Sequence, residues 1–280
     1  MSPLFFFGIS IFQKKCVKAL YFCIIIHEKE LVFKKNIKKQ VILYNFYTGE
    51  VKMSKFDIYK RNIPAISEDE QRQLNKSSVL IVGCGGLGGY IAEYLTRLGI
   101  GKLTLVDGDV FQETNLNRQL MSNTSNIGKS KTDECKIHLN LVNPNVEIRA
   151  IKAFFDENNA DELLTDIDLV IDALDSPSAR LVLEDACEKA NLTIIHGAVQ
   201  GWTMQVAIAE PGKKVLHSLY KSKSSKETAE AKTCLCPTPA CCASIQVAEA
   251  IKLLIGIKSD LIGKLFFMDL KSCDSYSIDL

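Results

Sequence analysis

Apolar residues in this chain fall into short unbroken runs separated by helical periods, and that alternation predicts most of the fold. Ser78 to Val82 (SVLIV) is a continuous apolar run rich in β-branched residues that breaks at Gly83 into a glycine cluster, as a strand buried on both faces of a parallel sheet does. Behind the glycines, Leu87, Ile91, Leu95 and Leu98 share one helical face until Gly99 and Gly101 stop the helix. A second strand, Leu103 to Val106, ends at Asp107. The rhythm continues with a helix near Ser130 to Leu141, a strand near Val146 to Ile151, a short helix near Asn158 to Leu164, a strand at Leu169 to Asp172 and a helix near Ser178 to Ala190. Short connections and right-handed crossovers join such units into a parallel sheet with helices on both faces. The expected fold is therefore α/β, a Rossmann-like doubly wound, mostly parallel sheet. Beyond Thr193 the pattern shifts: strand character at Thr193 to Ile195, Met204 to Ala209 and Leu265 to Leu270, with an apolar helix near Ala243 to Leu254, predicts a smaller antiparallel C-terminal part. Residues 221–232 (KSKSSKETAEAK) lack an apolar anchor and read as a mobile surface loop.

Composition changes the picture at one end only. With 280 residues, 47% hydrophobic and 24% charged, the chain has ordinary globular make-up and length enough for a real core. Nine lysines, no arginine and three glutamates give residues 1–52 a charge of +6, which leaves −5 on residues 53–280. The first segment is crowded with Phe, Ile, Lys, Asn and Tyr and holds no sustained period. It is expected to be an extension outside the fold: translated upstream sequence with Met53 as the native start, because Gly49-Glu50-Val51 can be encoded by a purine-rich ribosome-binding stretch, or else a disordered or partner-bound arm. The folded domain is accordingly drawn at 53–280. A mildly acidic body offers no broad field for nucleic acid. The apolar runs Pro3 to Phe12 and Ala19 to Ile26 are too short to span a bilayer, and lysines follow the first run instead of preceding it. Neither a membrane span nor a signal peptide is expected. Ten cysteines without regular pairing, with Cys84 and Cys187 inside predicted buried elements, fit a reducing cytoplasm better than a disulfide framework.

Gly83-Cys84-Gly85-Gly86-Leu87-Gly88 satisfies GxGxxG between a predicted strand and helix, and Asp107 lies nineteen residues beyond Gly88 at the end of the next strand. Gly83, Gly85, Gly86 and Gly88 let backbone N–H groups and the helix N-terminus approach phosphates, while Asp107 can accept hydrogen bonds from ribose hydroxyls. The glycines alone do not choose between NAD and ATP. The segments that follow choose ATP: DGDVFQETNLNRQ from Asp107, GKSK at 128–131 and DALDS at 172–176. This ordered set resembles the ThiF/MoeB/HesA family, relatives of ubiquitin-activating enzymes, over essentially residues 56–280. The resemblance implies an ATP-dependent adenylyltransferase that activates the C-terminal glycine of a ubiquitin-like sulfur-carrier protein, ending in Gly-Gly, for thiamine or molybdopterin synthesis. Two alternatives stay open. One is an enzyme like the tRNA threonylcarbamoyladenosine dehydratase, against which the acidic body argues. The other is a non-catalytic carrier-binding protein or an NAD oxidoreductase on the same nucleotide fold.

Forming an acyl adenylate requires a carboxylate to attack the α-phosphate while pyrophosphate leaves, so cations and a metal ion must meet the negative charge. Arg118, just past the second strand, can fork onto phosphate oxygens, and Lys131 opens the next helix. By resemblance, Asn115, Arg118, Gln119 and Lys131 match the family's phosphate-contacting positions. Asp172 and Asp175 stand at the carboxyl edge, where open parallel sheets bind ligands, and hard carboxylates there suit Mg2+. The resemblance makes Asp175 the metal-associated aspartate and leaves Asp172 to order the loop. Tyr59-Lys60-Arg61 resembles the family's opening segment, in which an arginine reaches the ATP site of the other subunit. Arg61 takes that place, Asp57 stands where a further arginine is usual, and a homodimer is implied. His196, in HGAVQGW, has no Ser or Cys arrangement that would make it a triad member. Many relatives hold zinc with two Cys-x-x-Cys pairs. Cys234, Cys236, Cys241, Cys242 and Cys273 lack that spacing, and tetrahedral zinc needs four ligands, so zinc is not expected. Cys234 or Cys236 is a candidate for carrying sulfur, as a loop cysteine does in some relatives. The stretch from Pro239 to Ala250 resembles the family's signature helix beneath the adenylation site.

Overall fold

Alternation of buried side chains to opposite faces organises the sheet. The computed structural model describes residues 57–220 and 233–280, so the expectations for residues 1–52 and for the 221–232 loop lie outside the described residues. Five strands, β1 (Ser78–Val82), β2 (Lys102–Val106), β3 (Glu147–Ile151), β4 (Leu169–Asp172) and β5 (Ile194–Gln200), pair in parallel in the order β3-β2-β1-β4-β5. Three more, β6 (Thr203–Ala209), β7 (Lys264–Asp269) and β8 (Asp274–Asp279), continue the sheet antiparallel from β5. Both the parallel body and the antiparallel C-terminal part therefore take the form the apolar pattern predicts. Register places the functional edge: Val82 pairs with Val106 and with Asp172, and Val106 with Ile151, so four parallel strands end level.

Seven α-helices and two single-turn 3-10 helices (Asp57–Tyr59 and Glu113–Asn115) complete the described fold: α1 (Glu68–Leu74), α2 (Gly86–Leu98), α3 (Lys131–Val142), α4 (Ala160–Leu163), α5 (Pro177–Ala190), α6 (Val215–Tyr220) and α7 (Pro237–Leu254). On one sheet face Val79, Ile81, Leu103 and Leu105 pack with Ile91 and Leu95 of α2 and Val247 and Ala250 of α7. On the other, Leu80, Val82 and Val170 pack with Leu183 and Cys187 of α5 and Leu216 of α6. Each large apolar side chain so buried contributes about 1.5–3 kcal/mol. Among the described residues no helix is long and apolar enough to cross a membrane.

Differences from the sequence reading lie at element ends and in polar elements. α7 starts at Pro237, ahead of the apolar stretch from Ala243, because Pro237 and Pro239 fall in its first turn, where no backbone N–H is needed. β5 runs on to Gln200 instead of stopping at Ile195, carried by its pairing with β6 through Gln200 opposite Thr203. α1, α6 and β8 were not expected. β8 (DSYSID) is exposed along its whole length and is held by its ladder to β7.

Candidate nucleotide site

The strand ends deliver Gly83, Asp107 and Asp172 to one edge, and close backbone approach fixes the glycine turn. Gly83 has φ +98°, and a Cβ there would lie 2.6 Å from the Ala173 carbonyl oxygen, so the turn after β1 rests on the end of β4. A Cβ on Gly88 would run into the Gly83 carbonyl, which keeps α2 tight against the turn. Gly85 is the N-cap of α2 and makes no side-chain cap hydrogen bond, so the helix presents its first-turn N–H groups at the edge as an anion site. Gly85 faces the Gln119 amide, and Gly86 faces Arg118 and Pro239.

Asp107 ties the second strand end to this turn. Its Oδ2 accepts from the Cys84 N–H at 2.7 Å and its Oδ1 from the Asp109 N–H at 2.8 Å. Each oxygen keeps a further lone pair for a ribose hydroxyl. Lys131, buried at the start of α3, donates from Nζ to Asp109 Oδ2 at 2.9 Å and stands 3.8 Å from Asp107 Oδ2. Arg118 is held by neutral oxygens, its Nη1 donating to Thr114 O at 2.9 Å and to Asn117 Oδ1 at 2.8 Å. Asn115 is buried and accepts from the Gln112 N–H at 2.9 Å, which shapes the turn carrying Arg118. Gln119 is buried, and its Oε1 has no hydrogen-bond partner in the structure.

Beyond β4, Asp172 is fully buried and accepts from the Leu174 N–H at 2.9 Å and from His196 Nδ1 at 2.7 Å. Asp175, three residues on, is an exposed carboxylate at the edge, as is Asp109, which is already paired with Lys131. The N-cap of α5 is Ser176, not Asp175. Among the described residues no group of three or more His, Cys, Asp or Glu is placed to hold a metal ion. One exposed carboxylate on a phosphate-facing edge fits magnesium, which takes one or two carboxylates and completes its shell with phosphate and water. Arg61 is not brought to this edge. Tyr59, two residues before it, packs under Gly99 and accepts from Asn143 Nδ2 at 2.8 Å, at the far end of α2. Across the 13 residues of α2 that is roughly 20 Å from the glycine turn.

The candidate sulfur-bearing cysteines flank the same edge. The Asn117 Nδ2 donates to the Cys234 carbonyl at 3.1 Å, and Cys236 Sγ lies 3.0 Å from the Tyr90 hydroxyl. Burial pushes the Cys234 thiol up, with Arg118 opposing, so this thiol is protonated at neutral pH. Two site residues escape a reading of the sequence. Asp109, the second carboxylate of Asp107-Gly108-Asp109, balances Lys131. Phe154, 67% exposed beyond β3, lays its ring on Gly108, where a Cβ would meet it at 2.7 Å. The Phe154-Phe155 pair before α4 was the available signal, since only Phe155 is buried in the core.

Comparison with known proteins gives the family and the fold. Residues 59–279 match the ThiF family. The molybdopterin-synthase adenylyltransferase of Haemophilus influenzae is 33% identical over 217 residues, covering 75% of this chain and 89% of that protein. The sulfur carrier protein adenylyltransferase of Thermus thermophilus is 30% identical over 226 residues, covering 76% and 83% respectively. The crystal structure of PaaA superposes with a TM-score of 0.68 at 24% identity, over 89% of this chain and 83% of that one, a likeness of fold.

Proposed function

The chain belongs to the ThiF family, and from that premise we propose that it is an ATP-dependent adenylyltransferase acting on the C-terminal glycine carboxylate of a ubiquitin-like sulfur-carrier protein. The observation that carries the reading is the convergence, on one sheet edge, of an uncapped helix N-terminus, Arg118, Lys131 and the Asp175 loop. The names of the two relatives supply the substrate class, a carrier of the molybdopterin or a related sulfur pathway.

In this reading the triphosphate lies along the first turn of α2, where N–H groups and the helix dipole favour it. Asp107 takes the ribose through its remaining lone pairs, and the base extends toward Phe154. Lys131 exchanges Asp109 for a phosphate oxygen, and Arg118 turns its fork onto the phosphates. The carrier carboxylate attacks the α-phosphorus, the bond to the β-phosphate bridging oxygen breaks, and pyrophosphate leaves with the electron pair. Nucleophile and leaving group are both anions, so no proton need move, and a general base is dispensable. That fits the burial of His196 away from solvent. Magnesium, when it binds with the nucleotide, supplies positive charge to the departing pyrophosphate, and Asp175 is the residue that would hold it. Arg61, exposed and remote from its own glycine turn, is suited to complete the site of a second copy in a homodimer.

The test is ATP–pyrophosphate exchange by the full chain with candidate carriers. Exchange is expected with a carrier ending in Gly-Gly and is expected to vanish when the last glycine is deleted. A folded chain that binds ATP yet exchanges with no carrier would sink the proposal, and exchange driven instead by modified tRNA would replace its substrate.

A further inference from the structure

A buried polar network behind Asp172 takes no part in the chemistry above, yet it ends on the loop that bears Asp175. Arg180 of α5 donates from Nη2 to the Leu174 carbonyl at 2.5 Å, and its Nε lies 3.5 Å from Asp172 Oδ2. Its guanidinium sits 5.0 Å over the Tyr220 ring. The Tyr220 hydroxyl is 3.0 Å from His196 Nε2, and Gln205 Nε2 donates to that hydroxyl at 2.8 Å.

The proton order follows. The Asp172 carboxylate can only accept, so His196 carries its proton on Nδ1. Nε2 of the neutral ring then accepts, Tyr220 donates its hydroxyl proton to it, and Gln205 donates to the Tyr220 oxygen. A one-way chain therefore runs from β6 through α6 and β5 to the end of β4. Asp172 fixes the Leu174 N–H and Arg180 fixes the Leu174 carbonyl, so Leu174 is clamped on both sides. Asp175 is the next residue, and the preceding carbonyl, of Ala173, abuts Gly83.

Net stability does not explain such a network. Desolvation offsets most of the attraction in a buried ion pair, and well-packed apolar residues of similar volume often do as well or better. What the network delivers is position. We propose that Arg180, His196 and Tyr220 are positioning residues that clamp the Leu174 peptide and thereby hold Asp175 where the cation accompanying the nucleotide binds. The proposal rests on the adenylyltransferase reading.

Calorimetric binding of ATP to the full chain, with and without Mg2+, tests it through the ratio of the two dissociation constants, which general loosening of the fold leaves unmoved. Tyr220→Phe and Arg180→Lys are expected to cut the gain that Mg2+ confers by about 10-fold, the scale seen when outer partners of ligating groups are lost. His196→Asn, which can still offer an N–H to Asp172, should stay closer to wild type than His196→Ala. Tyr220→Phe keeps the ring over Arg180 and removes one hydroxyl, so it guards against a variant that fails to fold. Wild-type ratios in folded variants would overturn the clamp alone. A wild-type chain that binds no ATP would overturn the adenylyltransferase reading and the purpose of the clamp with it.

Discussion

Lys131 and His196 show how burial gives a single side chain its meaning. Lys131 is nearly enclosed and paired with Asp109, which keeps its ammonium aimed at the edge instead of roaming in solvent. Lys131→Ala is expected to lower carrier-dependent exchange by roughly 10²- to 10³-fold, the usual weight of one charge-stabilising group, and to cost stability no more than about 1–2 kcal/mol, because Asp109 is left half in water. Exchange rates and urea melts on the same preparation check both numbers. His196 behaves differently. Burial pushes its pKa down, and the neighbouring Asp172 and Glu184 only partly oppose this, while Arg180 reinforces it. Tyr220, whose hydroxyl meets Nε2 of the ring, is pushed up by burial and stays uncharged. The folded ring therefore remains neutral where the unfolded ring, with a pKa of about 6.5, takes a proton. Its contribution is full above about pH 6.5 and is lost as pH falls from there toward the depressed folded value, with a slope approaching about 1.4 kcal/mol per pH unit. His196→Asn should flatten that part of the stability profile between pH 7.5 and 5. Parallel profiles for the two proteins would show that His196 does not titrate in this way.

At the level of elements, α1 is defined by its first turn. Ser67 accepts from the Glu70 N–H at 3.2 Å, and Glu70 accepts from the Ser67 N–H at 2.6 Å, a reciprocal cap. Ser67→Ala is expected to cost about 1 kcal/mol in chemical denaturation and to leave exchange kinetics unchanged, since α1 lies away from the carboxyl edge. The Ser-x-x-Glu spacing was readable, and reading it would have found the helix. Other elements could not be read locally. α6 is six residues long, and its Leu216 and His217 N–H groups are accepted by Glu184, far off in sequence on α5. β8 carries only a short alternation, Tyr276 and Ile278, both about half exposed, and it is held by its ladder to β7 and by Tyr276 stacked 5.1 Å from Phe267. By contrast, β1 and β4 announced themselves, since every residue in them is buried and the apolar runs Val79–Val82 and Leu169–Ile171 make up most of each. The same distinction governs the site. The glycine turn, Arg118, Lys131 and Asp175 sit in contiguous motifs, whereas His196, and behind it Tyr220 and Gln205, reach Asp172 from β5, α6 and β6 through tertiary contacts.

For the whole molecule, the position of Arg61 makes assembly testable. If each site takes Arg61 from the other subunit, a dimer of Arg61→Ala with Lys131→Ala holds one site with neither lesion and one with both. Equal mixing and reassembly should then restore about one quarter of wild-type exchange, because random assortment makes half the dimers mixed and half of their sites whole. No recovery would place every working residue of a site in one chain. The Lys131 pairing has a further consequence for how nucleotide arrives. Before capture, its charge is already balanced by Asp109 and the nearby Asp107, and residues 53–280 together carry −5. ATP, itself strongly anionic, meets no long-range attraction from this net charge on approach, and Arg118 and the α2 N-terminus are the positive features left for it at the mouth. Capture by a chain started at Met53 should therefore be slow relative to electrostatically guided encounters and should gain nothing from low ionic strength. Free phosphate or sulfate, unable to engage ribose and base contacts, should compete poorly for the same cradle.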